Sequence, residues 1–427
     1  MDSLINMLPL FKILFVFICM LIGIRFKLGV GLSVLIGGFV LALVTDMKMD
    51  ALLQTVQSAV TDEKTIYLAL IVALIMLLSG LLERTGQAGR IMDSLTGYLK
   101  SPRLRLVFFP ALIGLLPMPG GAIFSAPMIR EAAEGLDVTD KDKVVINYWF
   151  RHVWELAWPL YPGMLLGAAL SGMPVFKFIS YTAPGSLACI LLGYFFFLRP
   201  SILPLKNGVH DNVEIKPGSA LIAVKEGMPL LLAIGGALCF EGVFSLISPN
   251  IPFEAGIVVA LFLAVICAAF SNSGSFAIIC SLLVQKRFIS MIFLILCVFI
   301  FKDVLGDCGL VGELSRLAGG EAALIAAAVF VPFLIGFIAG ITMAFVGAAM
   351  PLVVGLVDSM GITSQLPAWA MLCMFSGFAG LMASPLHICF LLTCEYFKVD
   401  LFSAWKRIVV PSLALLCLGV AYFFVLV

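Results

Sequence analysis

The sequence predicts an all-α polytopic membrane protein built as two inverted repeats, each with five transmembrane helices, a re-entrant helical hairpin and one broken helix. Three observations carry this reading. Hydrophobic residues make up 62% of the chain and charged residues 12%, whereas soluble domains sit near ~45–50% apolar. Apolar runs of about 18 residues or more, long enough to cross a hydrocarbon core of roughly 30 Å as helix, recur from end to end. Short motifs also occur twice, in the same order and at a nearly constant offset.

The offset is read from three pairs. Gly120-Gly-Ala-Ile-Phe-Ser-Ala-Pro127-Met-Ile has its counterpart in Ala344-Phe-Val-Gly-Ala-Ala-Met-Pro351-Leu-Val, with the prolines 224 residues apart. Ala157-Trp-Pro159-Leu-Tyr161 matches Ala383-Ser-Pro385-Leu-His387 at 226, and Thr85-Gly86-Gln-Ala-Gly89 matches Cys308-Gly309-Leu-Val-Gly312 at 223. The duplication sets the boundaries: repeat one at 1–205, a cytoplasmic linker at 206–217 and repeat two at 218–427. The linker contains Asn207-Gly208, Asp211-Asn212 and Pro217-Gly218, residues that favour turns.

Hydropathy places spans at 5–24, 28–45, 66–83, 144–170 and 176–198, then at 226–247, 253–271, 288–306, 368–396 and 404–427. The first of these reads as a membrane helix rather than a signal peptide, since Lys12 interrupts its apolar run and no small-residue cleavage site precedes a polar region. The stretches 106–129 and 322–356 are different. Arg103 and Arg105 precede the first of them, and Arg130, Lys141 and Lys143 follow it. Basic loops prefer the cytoplasm, so this segment enters and leaves on one side, as a hairpin. Its tip is Pro117-Met-Pro119-Gly120-Gly121, where proline removes donors and glycine permits reversal.

Five spans per half is an odd number, so the second half enters the membrane upside down. Arg25, Lys27, Arg199, Lys206, Lys216, Lys286, Arg287, Lys398, Lys406 and Arg407 then fall in the cytoplasm, against only Lys48, Lys64, Lys177 and Arg316 outside. Both termini are expected on the outer side of an inner (cytoplasmic) membrane. The formal net charge of +1, with no dense basic cluster, excludes nucleic acid as a partner. The 11 cysteines fall mostly inside apolar runs, Cys389 among them, without CxxC pairs, and read as small membrane-core residues.

The densest polar set inside a span is Asn147, Arg151, His152 and Glu155. Asn147, Arg151 and Glu155 follow i, i+4, i+8 and share one helix face, with Arg151 and Glu155 spaced to pair. Ionisable groups in the bilayer cost about 2.5–3.5 kcal/mol even on insertion scales, so their presence points to function. Arg151 suits a bidentate carboxylate contact, and His152 or Glu155 suits a coupling proton. The competing reading is that Arg151 snorkels from the span's end and forms a structural salt bridge with Glu155. The helix breaks add anion-attracting N-termini and cation-attracting carbonyls. Candidate binding residues there are Gly120, Gly121, Ser125, Thr342 and Gly347 at the hairpins and Tyr161, Ser384 and His387 at the breaks. Lys302 and Asp303 read as a structural pair at a membrane edge.

These hairpins, the two Gly-x-x-Gly turns and the breaks at Trp158-Pro159 and Ser384-Pro385 resemble the ion transporter superfamily of gluconate, citrate, dicarboxylate and arsenite permeases. More narrowly, Leu116-Pro-Met-Pro-Gly-Gly-Ala with Asn147-Tyr-Trp-Phe-Arg-His-Val-Trp-Glu-Leu-Ala-Trp-Pro resembles domain-of-unknown-function family 401. The superfamily resemblance implies a mobile transport domain, a scaffold that usually dimerises, and elevator-like alternating access. The hairpin tips, Gly-Gly-Ala-Ile-Phe-Ser and Ile-Thr-Met-Ala-Phe-Val-Gly, lack the Ser-Asn-Thr signature of its sodium-coupled dicarboxylate branch.

The expected function is secondary active transport of a small carboxylate-type anion, coupled to protons or sodium, with no cofactor and no enzymatic step. Two alternatives stand beside it. An intramembrane metal-dependent enzyme is suggested by His152-x-x-Glu155 and His387, although His-Glu-x-x-His and Gly-x-Ser-x-Gly are absent. A passive anion channel would show rings of charge, which the sequence lacks.

Overall fold

The computed structural model describes residues 8–99, 101–116, 121–204, 218–247, 252–317 and 321–427, and among them every regular element is helical. The first half runs α1 Leu8–Arg25, α2 Val30–Val44, α3 Met49–Thr61, α4 Glu63–Arg84, α5 Gln87–Thr96, α6 Pro102–Gly114, α7 Ala122–Ala132, α8 Asp140–Arg151, α9 Pro162–Ser171 and α10 Val175–Gly193, the last extended by a π turn over Tyr194–Leu198. The second half runs α11 Ala220–Ile247, α12 Phe253–Phe270, α13 Ser275–Leu283, α14 Lys286–Asp307, α15 Leu310–Leu317, α16 Glu321–Ala339, α17 Thr342–Ser359, α18 Leu366–Ala383, α19 Ile388–Phe397 and α20 Leu401–Leu426. Among the described residues, 8 segments are long and apolar enough to cross a membrane. The chain is a multi-pass membrane protein.

Each expected span finds a helix or a pair of half-helices, and the stretches at 106–129 and 322–356 become the pairs α6/α7 and α16/α17. The arms of the second pair are longer, 19 and 18 residues against 13 and 11. Four short helices, α3, α5, α13 and α15, were not expected from hydropathy. In α3 the reason is visible, since only the stripe Leu52, Thr55 and Ala59 is buried. An amphipathic helix of this length carries no continuous apolar run for a hydropathy reading to find. Gly86 (φ 71°) precedes α5 and Gly309 (φ 73°) precedes α15, a left-handed turn that glycine adopts without a Cβ penalty.

Packing sorts the helices into two groups. In one, α1 lies on α2, α2 on α14, α4 on α12 and α14, and α11 on α12. In the other, α6 packs on α7 and α8, α16 on α17 and α18, and α10 and α20 on α18. The groups meet where α9 touches α4 and where α17 touches α14. Phe11, Phe15 and Ile18 on α1 and Leu221 and Leu231 on α11 are exposed, as lipid-facing side chains are. At the other extreme α18 is buried at every residue from Ala368 to Ala383.

The centre of the second group is held by small residues. A Cβ added at Gly380 would lie 2.1 Å from the Phe333 carbonyl oxygen, and one at Gly336 would lie 2.2 Å from that of Gly377. The backbones of α16 and α18 therefore approach closely, the packing that membrane helices use where no hydrophobic force drives them together.

Candidate functional site

Helix α8 begins with a capping box in which Thr139 and Asp142 satisfy each other's backbone donors. It ends at Arg151, with the His152 N–H turned back to the Trp149 carbonyl, while Pro159 and Pro162 further on keep the following segment from rejoining it as helix. The break therefore covers 152–161, a run of turns in which Glu155 N–H donates to the His152 carbonyl and Ala157 N–H to that of Trp154. It starts earlier than the expected Trp158-Pro159 step. His152 and Glu155 thus sit in the break rather than on a helix face. The matching break at 384–387 follows α18, and the residues that open the next half-helices, Tyr161 and His387, share an extended backbone at ψ 123°.

The early end of α8 corrects the expected pairing. The i, i+4 rule requires continuous helix, and Glu155 lies beyond it. Arg151 instead donates to the Tyr161 hydroxyl and to the Leu116 carbonyl, both at 3.1 Å. Tyr161 passes its own proton to the Gly114 carbonyl at 2.5 Å, and the Trp154 indole donates to the Ala111 carbonyl at 2.9 Å. Carbonyls at the end of α6, which have no helical partner, are thereby capped from the break, with the cation placed at the favourable helix end. Arg151 is 2% exposed, so it does not snorkel. Gly114 permits the contact, since a Cβ there would stand 2.6 Å from the Arg151 carbonyl oxygen.

Glu155 accepts a 2.7 Å hydrogen bond from the Thr342 hydroxyl and lies 3.9 Å from His152 Nε2. Thr342 is the first residue of α17, so a carboxylate stands at a helix N-terminus. Gly163 at the start of α9 abuts the Thr342 methyl, and Gly340 before α17 abuts the His387 backbone. Ser125 in α7 donates to Asn147 Oδ1 at 2.5 Å, while Asn147 Nδ2 donates to the Ala122 carbonyl at 2.8 Å and to Thr393 of α19 at 3.2 Å. The Ser384 hydroxyl donates to the Phe337 carbonyl at 2.5 Å. The first turns of α7, α9, α17 and α19 thus converge on one buried polar cluster.

Of the residues singled out in the sequence, Ser125, Asn147, Arg151, His152, Glu155, Tyr161, Thr342, Ser384 and His387 belong to this region and all but Thr342 are fully buried. Gly121 is buried at the start of α7, and Gly120 lies outside the described residues. Gly347 faces α14, where a Cβ would meet Val298 at 2.4 Å, so it serves the packing of α17. Lys302 and Asp303 pair at 3.0 Å with part-exposed side chains, as expected of an edge pair.

Three residues escaped the sequence reading. Tyr148 donates its hydroxyl to the Met382 and Leu381 carbonyls at 3.1 and 3.3 Å and lies 3.4 Å from His387 Nδ1, while its backbone carbonyl is 2.6 Å from His152 Nδ1. Thr393 holds Asn147, and Cys389 lies with the two histidines. Only the adjacency of Tyr148 to Asn147 and the i, i+2 step from His387 to Cys389 hinted at them.

Fold and site define a polytopic, all-helical membrane protein with a buried ionisable cluster at paired helix breaks. The chain belongs to the family described as "Protein of unknown function (DUF401)", whose pattern matches residues 4–211 and 245–426. Its fold is similar to the crystal structure of the YdaH transporter of Alcanivorax borkumensis, at 15% identity over 89% of each chain with a TM-score of 0.60. No curated protein matches it.

Proposed function

We propose that the protein is a secondary active transporter of small carboxylate-type organic anions, driven by a proton or sodium gradient. One observation carries this reading. The N-terminal turns of α7, α9, α17 and α19 converge on one buried cluster, and unpaired N–H groups at helix N-termini attract anions. Gly121, Ser125, Asn147, Arg151, Tyr161, Thr342, Ser384 and His387 supply the binding groups. His152 and Glu155 meet the coupling cation. The similarity in fold to a protein described as a transporter supports the class.

In this reading the sequence boundaries 1–205, 206–217 and 218–427 mark two inverted repeats and their cytoplasmic linker. The hairpins and broken helices move as one body against α1, α2, α4, α11, α12 and α14, in a homodimer joined through the latter group, with both termini outside an inner membrane. A narrow apolar crevice between the groups, lined by Pro159 and Leu160 on one side and Ala233, Ala237 and Ile257 on the other, supports sliding there. Apolar surfaces shear without breaking hydrogen bonds.

Proteoliposomes holding the purified chain test the proposal. Radiolabelled gluconate, citrate and monocarboxylates are offered under imposed proton or sodium gradients. Accumulation of one unchanged anion above its equilibrium level is the expected result. Flux that only equilibrates would indicate a channel, and recovery of a converted product would indicate an enzyme. Absence of gradient-dependent uptake for every anion would overturn the reading.

A further inference from the structure

We propose that His152, His387 and Cys389, joined by Glu155, form a site for one Zn²⁺ ion, which would take the place given above to the coupling cation and withdraw His387 from anion binding. One donor atom from each of the two histidines and from Cys389 lie within 4.8 Å of one another, and all three residues are buried. The imidazole centroids are 4.7 Å apart. Glu155 Oε1 is 3.9 Å from His152 Nε2, on the same nitrogen that the metal would take. Two imidazoles, a thiolate and a carboxylate are the donor types that suit a four-coordinate zinc.

The orientation of the imidazoles carries the inference further. His152 Nδ1 lies 2.6 Å from the Tyr148 carbonyl oxygen, which can only accept, so this nitrogen bears the hydrogen and Nε2 keeps its lone pair. Tyr148 spends its single hydroxyl proton on the Met382 and Leu381 carbonyls and therefore accepts from His387 Nδ1. His387 Nε2 is then a lone pair as well. One residue fixes both tautomers in the form that binds metal, the outer-shell arrangement found around ligating histidines.

Charge supports the same occupant. With Cys389 as thiolate and Glu155 as carboxylate, two negative charges balance the divalent cation, so the metal and its ligands carry no net charge of their own and Arg151 is the cationic group that stays beside them. Donors around a tetrahedral zinc stand about 3.3–3.6 Å apart given the usual bond lengths. The three donors, within 4.8 Å of one another, and Glu155, 3.9 Å from His152 Nε2, stand wider than that range, so binding would draw the side chains inward. Thr342 continues to hold the second oxygen of Glu155, as carboxylate ligands are held elsewhere.

The test uses the purified full chain in detergent, stripped with a chelator and titrated with Co²⁺ as a spectroscopic stand-in. One Co²⁺ per chain with tetrahedral ligand-field bands and a thiolate charge-transfer band, displaced by one Zn²⁺, is expected. Cys389→Ser removes the charge-transfer band, and Tyr148→Phe weakens binding by roughly 10–100-fold while the backbone carbonyl still orients His152. Size-exclusion and circular dichroism profiles matching the parent qualify each variant. A parent chain without stoichiometric cobalt or without the charge-transfer band overturns the site, whatever the variants do. A band unchanged in folded Cys389→Ser overturns it too. Metal stoichiometry is read without any flux, so failure of the transport proposal and failure of this one are separate results.

Discussion

Glu155 and Thr342, 187 positions apart in the chain, are joined by a 2.7 Å hydrogen bond that ties the break after α8 to the first residue of α17. The bond gives a buried carboxylate a donor at a helix N-terminus. Replacing Thr342 with Val keeps the shape and removes the donor, which should lower stability by about 1–3 kcal/mol because a buried charged acceptor is left unsatisfied. Thr342→Ser should retain most of it. Thermal unfolding in detergent compares the two, and a Val variant as stable as the Ser variant would refute the assignment.

Tyr161 links the Arg151 guanidinium to the Gly114 carbonyl. Tyr161→Phe deletes both contacts at constant volume. The buried carbonyl loses its donor, so a destabilisation of roughly 1–3 kcal/mol is expected. The α6 end should also open. Hydrogen exchange over residues 108–116 reports that opening and should rise relative to α18.

Glycines separate close approach from helix propensity. Gly380→Ala places a methyl 2.1 Å from the Phe333 carbonyl oxygen, a backbone atom that cannot rotate aside. A loss of about 1–3 kcal/mol or more follows from overpacking. Gly235→Ala, where nothing lies within 4 Å, should instead be neutral or stabilising by up to ~1 kcal/mol. Melting curves of the two variants should move in opposite directions.

The proposed inverted arrangement makes its own prediction. Lys64 and Lys286 lie in the first turns of α4 and α14, helices of 22 residues each. Cysteine introduced at position 64 should react with a membrane-impermeant maleimide in intact cells, and cysteine at 286 only after permeabilisation. The exposed Cys239, Cys280 and Cys417 are first replaced by serine. Labelling of both positions from the same side would refute inversion.

Hydropathy alone was enough to place the membrane helices, and the paired prolines located the second break and the far end of the first, which begins earlier, at His152. Each is a local property, since a span is a run of apolar residues and a break is a missing donor. The amphipathic α3, α5 and α15 escaped because half of each surface is polar, and the apolar α13 escaped because its 9 residues are too few for a span. A Gly-x-x-Gly turn marked where α5 and α15 begin without revealing that a helix followed.

Which side chains meet was another matter. Spacing paired Arg151 with Glu155, but that geometry holds only while the helix continues, and α8 stops at Arg151. Arg151 then turns to the carbonyls of α6, Glu155 to Thr342, and Tyr148 to His387. Cys389 looked like one more apolar-run cysteine until folding brought it beside His152. The sequence by itself determined the membrane class, the long helices and the presence of a break in each half, because these depend on neighbours along the chain. The tertiary structure alone decided the composition of the polar cluster, because its members come from opposite halves and no periodicity connects them.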